Sequence, residues 1–144
     1  MLMKHLCRVL VLVQLGFFAY ATLPAVRAQD RVLSNDAEIS RAFDNQESNV
    51  QAKGKGIVAR LLQDDNDGSR HQRFILKLKS GQTLLIAHNI DLAPRVTNLK
   101  IGDTVEFLGE YEWNPKGGVI HWTHRDPDGH HKLGWLKHKG RTYR

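Results

Sequence analysis

After residue 50, apolar and polar positions alternate with a period of two through most of the chain, and this alternation predicts a small β protein. Residues 51–62 form a first expected strand that carries Gly54 and Gly56, and Asp64-Asp65-Asn66-Asp67-Gly68 is the turn that ends it. That turn is rich in acids, but it lacks the spaced ligand ladder and closing glutamate of a calcium loop. Residues 70–79 and 82–89 give the clearest hairpin, joined by Ser80-Gly81. A two-residue loop there would oppose Phe74 to Ala87, Leu76 to Leu85 and Leu78 to Thr83 on an apolar face. The other face would then pair Ile75 with Ile86 and Arg73 with His88, with His71 diagonal to His88. A connector over 92–99 carries Pro94, and Lys100-Ile101-Gly102-Asp103 is a tight turn into a fourth strand. In that strand Val105, Phe107, Gly109, Tyr111 and Trp113 alternate with Thr104, Glu106, Leu108, Glu110 and Glu112. A turn over 114–118 and a fifth strand over 119–124 complete the series.

Two segments depart from the alternation. Residues 34–49 follow a helical period: Ser34 or Asn35 can cap the N-terminus, Asp36 and Glu38 suit the first turn, and Ile39, Ala42, Phe43 and Gln46 share one stripe. Residues 6–20 form an apolar run flanked by Lys4 and Arg8, followed by Pro24 and the small-residue pattern Val26-Arg27-Ala28. This is the layout of a signal peptide, residues 1–28, cleaved after Ala28; the alternative is an uncleaved anchor. The run is short for a membrane-spanning helix, so the mature chain is expected to have no transmembrane span and to be secreted or periplasmic. Five strands, a connector between the third and fourth, and a Gly-Asp turn opening the fourth resemble the OB-fold. The expectation is therefore a mainly β protein. It comprises an N-terminal helix and linker (29–50), a five-stranded OB-like antiparallel barrel (51–124) and a basic C-terminal extension (125–144). A different small antiparallel barrel is the alternative.

Composition narrows the chemistry. Cys7 is the single cysteine and lies in the leader, so the mature chain can form neither a disulfide nor a thiolate metal site. Any divalent metal would be held by nitrogen and oxygen ligands. The formal charge of +6 overstates the basic character. Lys4, Arg8 and Arg27 leave with the leader, and 18 basic residues then face 15 acidic ones, a net +3. The excess is concentrated in Lys132, Lys137, Lys139, Arg141 and Arg144, a solvated tail or a binding element.

Residues 121–131 hold four of the eight histidines together with Trp122, Asp126 and Asp128. Imidazole and carboxylate are metal-ligand and acid-base groups, which makes His121, His124, Asp126 and His130 (or His131) candidate ligands. Strand parity sends His121 and His124 to opposite faces, so a shared ion needs a bulge or a strand end between them. His71, Arg73 and His88 form a second candidate set, with two imidazoles for proton transfer and a guanidinium for phosphate oxygens. The structural alternative is a polar cross-strand patch. Asn89 and Asp91 lie beside that set as candidate ligand-binding residues; Trp122 and Trp135, which offer stacking surfaces, are further candidates. Tyr111 and Trp113 share parity with Val105 and Phe107 and are expected in the core.

Two functions from different classes fit these features. One is a binding module for an anionic or polar polymer, nucleic acid or glycan. The other is a histidine-dependent, metal-assisted hydrolase such as a phosphodiesterase or nuclease. The stretches His71-Gln72-Arg73-Phe74, Ala87-His88-Asn89-Ile90-Asp91-Leu92-Ala93-Pro94-Arg95, Gly109-Glu110-Tyr111-Glu112-Trp113-Asn114-Pro115-Lys116-Gly117-Gly118 and His121-Trp122-Thr123-His124 also carry a resemblance. Over residues 54–143 the chain resembles a small bacterial domain family of unknown function, DUF 3465. The resemblance implies no particular activity, ligand or catalytic residue.

Overall fold

The computed structural model describes residues 31–144, so the expected signal peptide lies outside the described residues. The fold is mainly β, with one short helix and eight strands among the described residues: β1 (Val32–Leu33), α1 (Asp36–Asp44), β2 (Val50–Leu61), β3 (His71–Lys77), β4 (Thr83–Asn89), β5 (Thr104–Glu112), β6 (Val119–His121), β7 (Trp135–His138) and β8 (Arg141–Tyr143). Among the described residues no helix is long and apolar enough to cross a membrane.

Five of these strands close a barrel in the order β2-β3-β4-β6-β5, with β5 returning to β2. This is the expected OB-like architecture with one correction: β4 and β6 run parallel, Leu85 beside Val119 and Ile86 beside Ile120, so the barrel is mixed. β2 makes closure possible because it serves two partners. Its first part pairs with β5, from Val50 with Tyr111 to Ile57 with Thr104, and its end, from Ile57 to Leu61, pairs with β3 across an irregularity between Val58 and Arg60. Such an irregularity bends the strand around the barrel corner. Inward positions on all five strands fill the core, among them Ala52, Val58, Phe74, Leu76, Leu84, Ile86, Val105, Phe107, Tyr111 and Ile120. Burying side chains of this size contributes roughly 1.5–3 kcal/mol each.

The β3–β4 hairpin departs from the expected register by one residue. Leu78 and Gln82 close the turn, with the Leu78 amide donating to the Gln82 carbonyl at 2.8 Å, so three residues and not two form the loop. Gly81 takes the left-handed conformation (φ 92°) that a three-residue loop of this kind requires. Gln72 therefore faces His88, Phe74 faces Ile86 and Leu76 faces Leu84. A slip of one residue exchanges the faces. His88 goes into the core, whereas His71 and Arg73 lie on the outside.

The helix is shorter than expected. Asn35 caps it by accepting from the Glu38 amide at 3.0 Å, and the Glu38 carboxylate accepts in return from the Ser34 amide at 2.7 Å. Ile39 and Ala42 bury its apolar stripe. The C-terminal extension is not a loose tail. β7 pairs with β5 and β8 with β7, Leu136 is wholly buried, and His138 Nε2 donates to Asp103 Oδ2 at 2.8 Å. That bond, with others from Lys100 and Lys139, holds the Asp103 carboxyl down at about 2.

Candidate functional site

β5 and β6 are the two strands of a hairpin, and their register sets the chemistry of its outward face. Glu110 opposes His121 and Glu112 opposes Val119, while Tyr111 and Ile120 point into the core. Glu110, Glu112 and His121 thus emerge together, each half-buried. His121 Nε2 lies 3.6 Å from Glu110 Oε1 and 3.8 Å from Glu112 Oε1. These separations exceed a hydrogen bond. The Nε2 atom is itself shut off from solvent and has no hydrogen-bond partner among the described residues. Ligands about 2.1 Å from a tetrahedral ion lie about 3.4 Å apart, so the three groups have nearly the spacing of a shared cation. Burial pushes the His121 pKa down, against the opposing pull of Glu110 and Glu112, which favours the neutral, ligand-competent imidazole.

The neighbouring loop completes one wall. His131 Nδ1 stands 3.5 Å from the other oxygen of Glu110. Two devices hold it there. Trp122 stacks on the His131 ring, centroids 3.5 Å apart and planes 12° from parallel. Asp126 gathers the loop by accepting from the backbone amides of Asp128, His130 and His131 at 3.0, 2.7 and 2.9 Å. Trp122 adopts φ 50°, a strained conformation for a bulky residue, next to the cluster it helps to shape. Beside His131 opens a cleft of about 700 Å³, lined by Arg125, Asp126, Asp128, His131, Leu133 and Arg144.

The expected ligand set therefore comes together only in part. His121 is at the centre, but His124 is buried, its Nδ1 donating to the Arg125 carbonyl at 2.8 Å. Asp126 is occupied by backbone amides, and the His130 side chain is exposed. β6 ends at His121 and Trp122 takes a left-handed φ, so strand parity does not extend to His124. Glu110 and Glu112 were absent from the expected set. Their signal was present in the alternation of the fourth strand, whose acids face outward beside the fifth.

The second expected set does not assemble as a catalytic group. His88 is fully buried; its Nε2 donates to the Pro94 carbonyl at 3.1 Å and its Nδ1 pairs with the Thr123 hydroxyl at 2.8 Å. Since Nε2 carries the proton, Nδ1 accepts. Burial is the main cause that brings the His88 pKa down to about 4. On the outer face, Arg73 donates to the Gln63 carbonyl at 3.1 Å and stands 3.7 Å from Asp65. His71 Nδ1 donates to the Ser69 carbonyl at 2.7 Å, leaving Nε2 as the ring's acceptor. Asn89 and Asp91 shape the turn after β4. Asn89 Oδ1 accepts from the Asp91 and Leu92 amides, and Asp91 accepts from the Arg70 amide and Nε, both at 2.7 Å. Trp135 opposes Leu108 on the outer side of β7 and is half-buried. Trp113 is only partly buried and stacks on Phe43, whereas Tyr111 is wholly in the core.

No match to this sequence was found among curated proteins. A family model described as "Protein of unknown function (DUF3465)" matches residues 21–144, and the chain belongs to that family.

Proposed function

We propose that this protein is an exported domain with a divalent-metal site on the outer face of its barrel, used for hydrolysis of phosphodiesters. The observation that carries the metal site is His121 Nε2, a buried nitrogen with no hydrogen-bond partner, facing two carboxylates at 3.6 and 3.8 Å. A nitrogen so enclosed is costly unless it finds a partner, and an ion would satisfy it together with both glutamates. Glu110, Glu112 and His121 supply three ligands, which is the number that leaves a position open for water. A bound ion lowers the pKa of that water and makes it a nucleophile near neutral pH. His71, whose Nε2 is the ring's acceptor, is the base proposed for this chemistry.

The test is equilibrium metal binding by the chelator-stripped protein. One Zn²⁺ or Mn²⁺ per chain is expected, weakened at least tenfold in His121→Ala and in Glu110→Gln/Glu112→Gln. Hydrolysis of bis(p-nitrophenyl) phosphate should follow metal occupancy. If the stripped protein takes up no ion stoichiometrically, the site reading fails; if it binds an ion but does not turn over the ester, the hydrolytic reading alone fails. Export is tested by N-terminal sequencing of the protein from the cell envelope, with Gln29 expected as the first residue.

A second reading, binding of an anionic polymer, is favoured by the outward face formed by β2, β5 and β7, where Lys53, Lys55 and Lys137 surround Glu106 as the single acid of those rows.

A further inference from the structure

We infer that this basic face is a docking surface for single-stranded nucleic acid, a partner assignment that rests on the polymer-binding reading. The strand ladder lays the face out in rows. Lys55 of β2 lies beside Glu106 of β5, Lys137 of β7 and Thr142 of β8, and in the next row Lys53 lies beside Leu108 and Trp135. Successive outward residues of one strand are about 6.6 Å apart. Across β2 from Thr104, Ile57 opposes Lys77.

The surface is concave and continuous. One groove of about 770 Å³ contains Lys53, Lys55, Lys79 and Glu106. It shares Lys55 and Lys79 with a groove that reaches Lys77, and it shares Lys53 and Glu106 with one that reaches Trp135, Lys137 and Arg144. Arg144 in turn lines the cleft beside His131. The path therefore runs from Lys77 toward the glutamate-histidine cluster. Glu106 and Glu110 share one face of β5, about 13 Å apart.

Charge and aromatic content select the partner. Lys53, Lys55, Lys77, Lys79, Lys137 and Arg144 form no ion pair among the described residues. Only Asp36 and Glu106 supply side-chain carboxylates along these grooves, so cations outnumber acids there and complement a polyanion. Trp135 stands in that groove, half-buried and fixed by the β5–β7 ladder, and offers a ring edge and face to a base. A backbone-tracking positive groove with an aromatic platform is the combination that holds unpaired bases. The flat π-face of a base covers an indole more fully than a pyranose crowded with sulfates does, which favours nucleic acid.

The experiment is fluorescence anisotropy of the purified protein with a fluorescein-labelled twelve-residue oligothymidylate in EDTA, which removes any metal contribution. Binding is expected to weaken steeply with salt. It should fall about tenfold or more in Lys53→Ala/Lys55→Ala/Lys79→Ala, fall severalfold to tenfold in Trp135→Ala, and be retained in Trp135→Phe. The exposed lysine variants keep the fold testable should Trp135→Ala unfold. A heparin oligosaccharide of equal charge that binds as tightly, with no loss in Trp135→Ala, overturns the nucleic-acid assignment and leaves polymer binding standing. Failure of both ligands to bind at low salt overturns both.

Discussion

His88 shows how a residue type that reads as catalytic can serve the core instead. Its ring ties three segments together: β4, the connector carrying Pro94, and Thr123 beyond β6. In the neutral ring both nitrogens have partners, and burial disfavours the proton, outweighing the Pro94 carbonyl, which favours it. The folded pKa of about 4 lies below the unfolded value of 6.5, so the unfolded chain binds the extra proton. The contribution to stability is therefore complete above about pH 6.5 and is lost as pH falls toward 4, by about 3 kcal/mol in all. Urea melts between pH 7 and 4 should show this decline, and His88→Leu should flatten it. A wild-type midpoint that does not change over that interval would rule the linkage out. His88→Ala should cost about 2–4 kcal/mol, since it leaves a cavity and strands the Thr123 hydroxyl and the Pro94 carbonyl.

Strands and their order were legible because alternation over residues 51–89 and 104–121 is strong, and tertiary packing only moved their ends. Register was less legible. In β3 and β4 both parities carry apolar residues, Phe74 and Leu76 on one side and Ile75 on the other, so the pattern alone permitted a slip. The turn decided it, through the left-handed Gly81. Register hid the site as well: Glu110 and Glu112 read as ordinary solvent-facing acids until the β5–β6 pairing set His121 opposite Glu110 and within reach of both. The C-terminal hairpin was read as a tail because its strands are three and four residues long and highly charged. Its approach to the barrel depends on Gly134. A Cβ there would meet the Trp122 carbonyl oxygen at 1.8 Å and that of Leu108 at 2.8 Å, both backbone atoms that cannot yield. Gly134→Ala should therefore destabilise the protein by about 3 kcal/mol or more and detach β7, observable as faster amide exchange from Trp135 to Tyr143. Unchanged protection in that segment would refute the packing role.

At the scale of the whole molecule, β5 is the common element. It closes the barrel through β2, carries the C-terminal hairpin through β7, and presents Glu106, Glu110 and Glu112 along one outward edge. The two proposed surfaces thus share a rigid strand. Closure of the barrel joins β2 to β5 across roughly fifty residues, a loop whose entropy must be overcome before the contacts repay it, which predicts slow folding in the millisecond-to-second range. The proposed ligands behave differently in time. Glu110, Glu112 and His121 lie within a single hairpin, brought together by the turn over 113–118 and not by closure. An ion can therefore engage them while the rest of the chain is still searching, and so act as a nucleus for β5, the strand that pairs with β2, β6 and β7. Stopped-flow refolding from urea should be several times faster with stoichiometric Zn²⁺ than in EDTA, with the difference abolished in His121→Ala. Equal refolding rates would confine the ion to the finished fold.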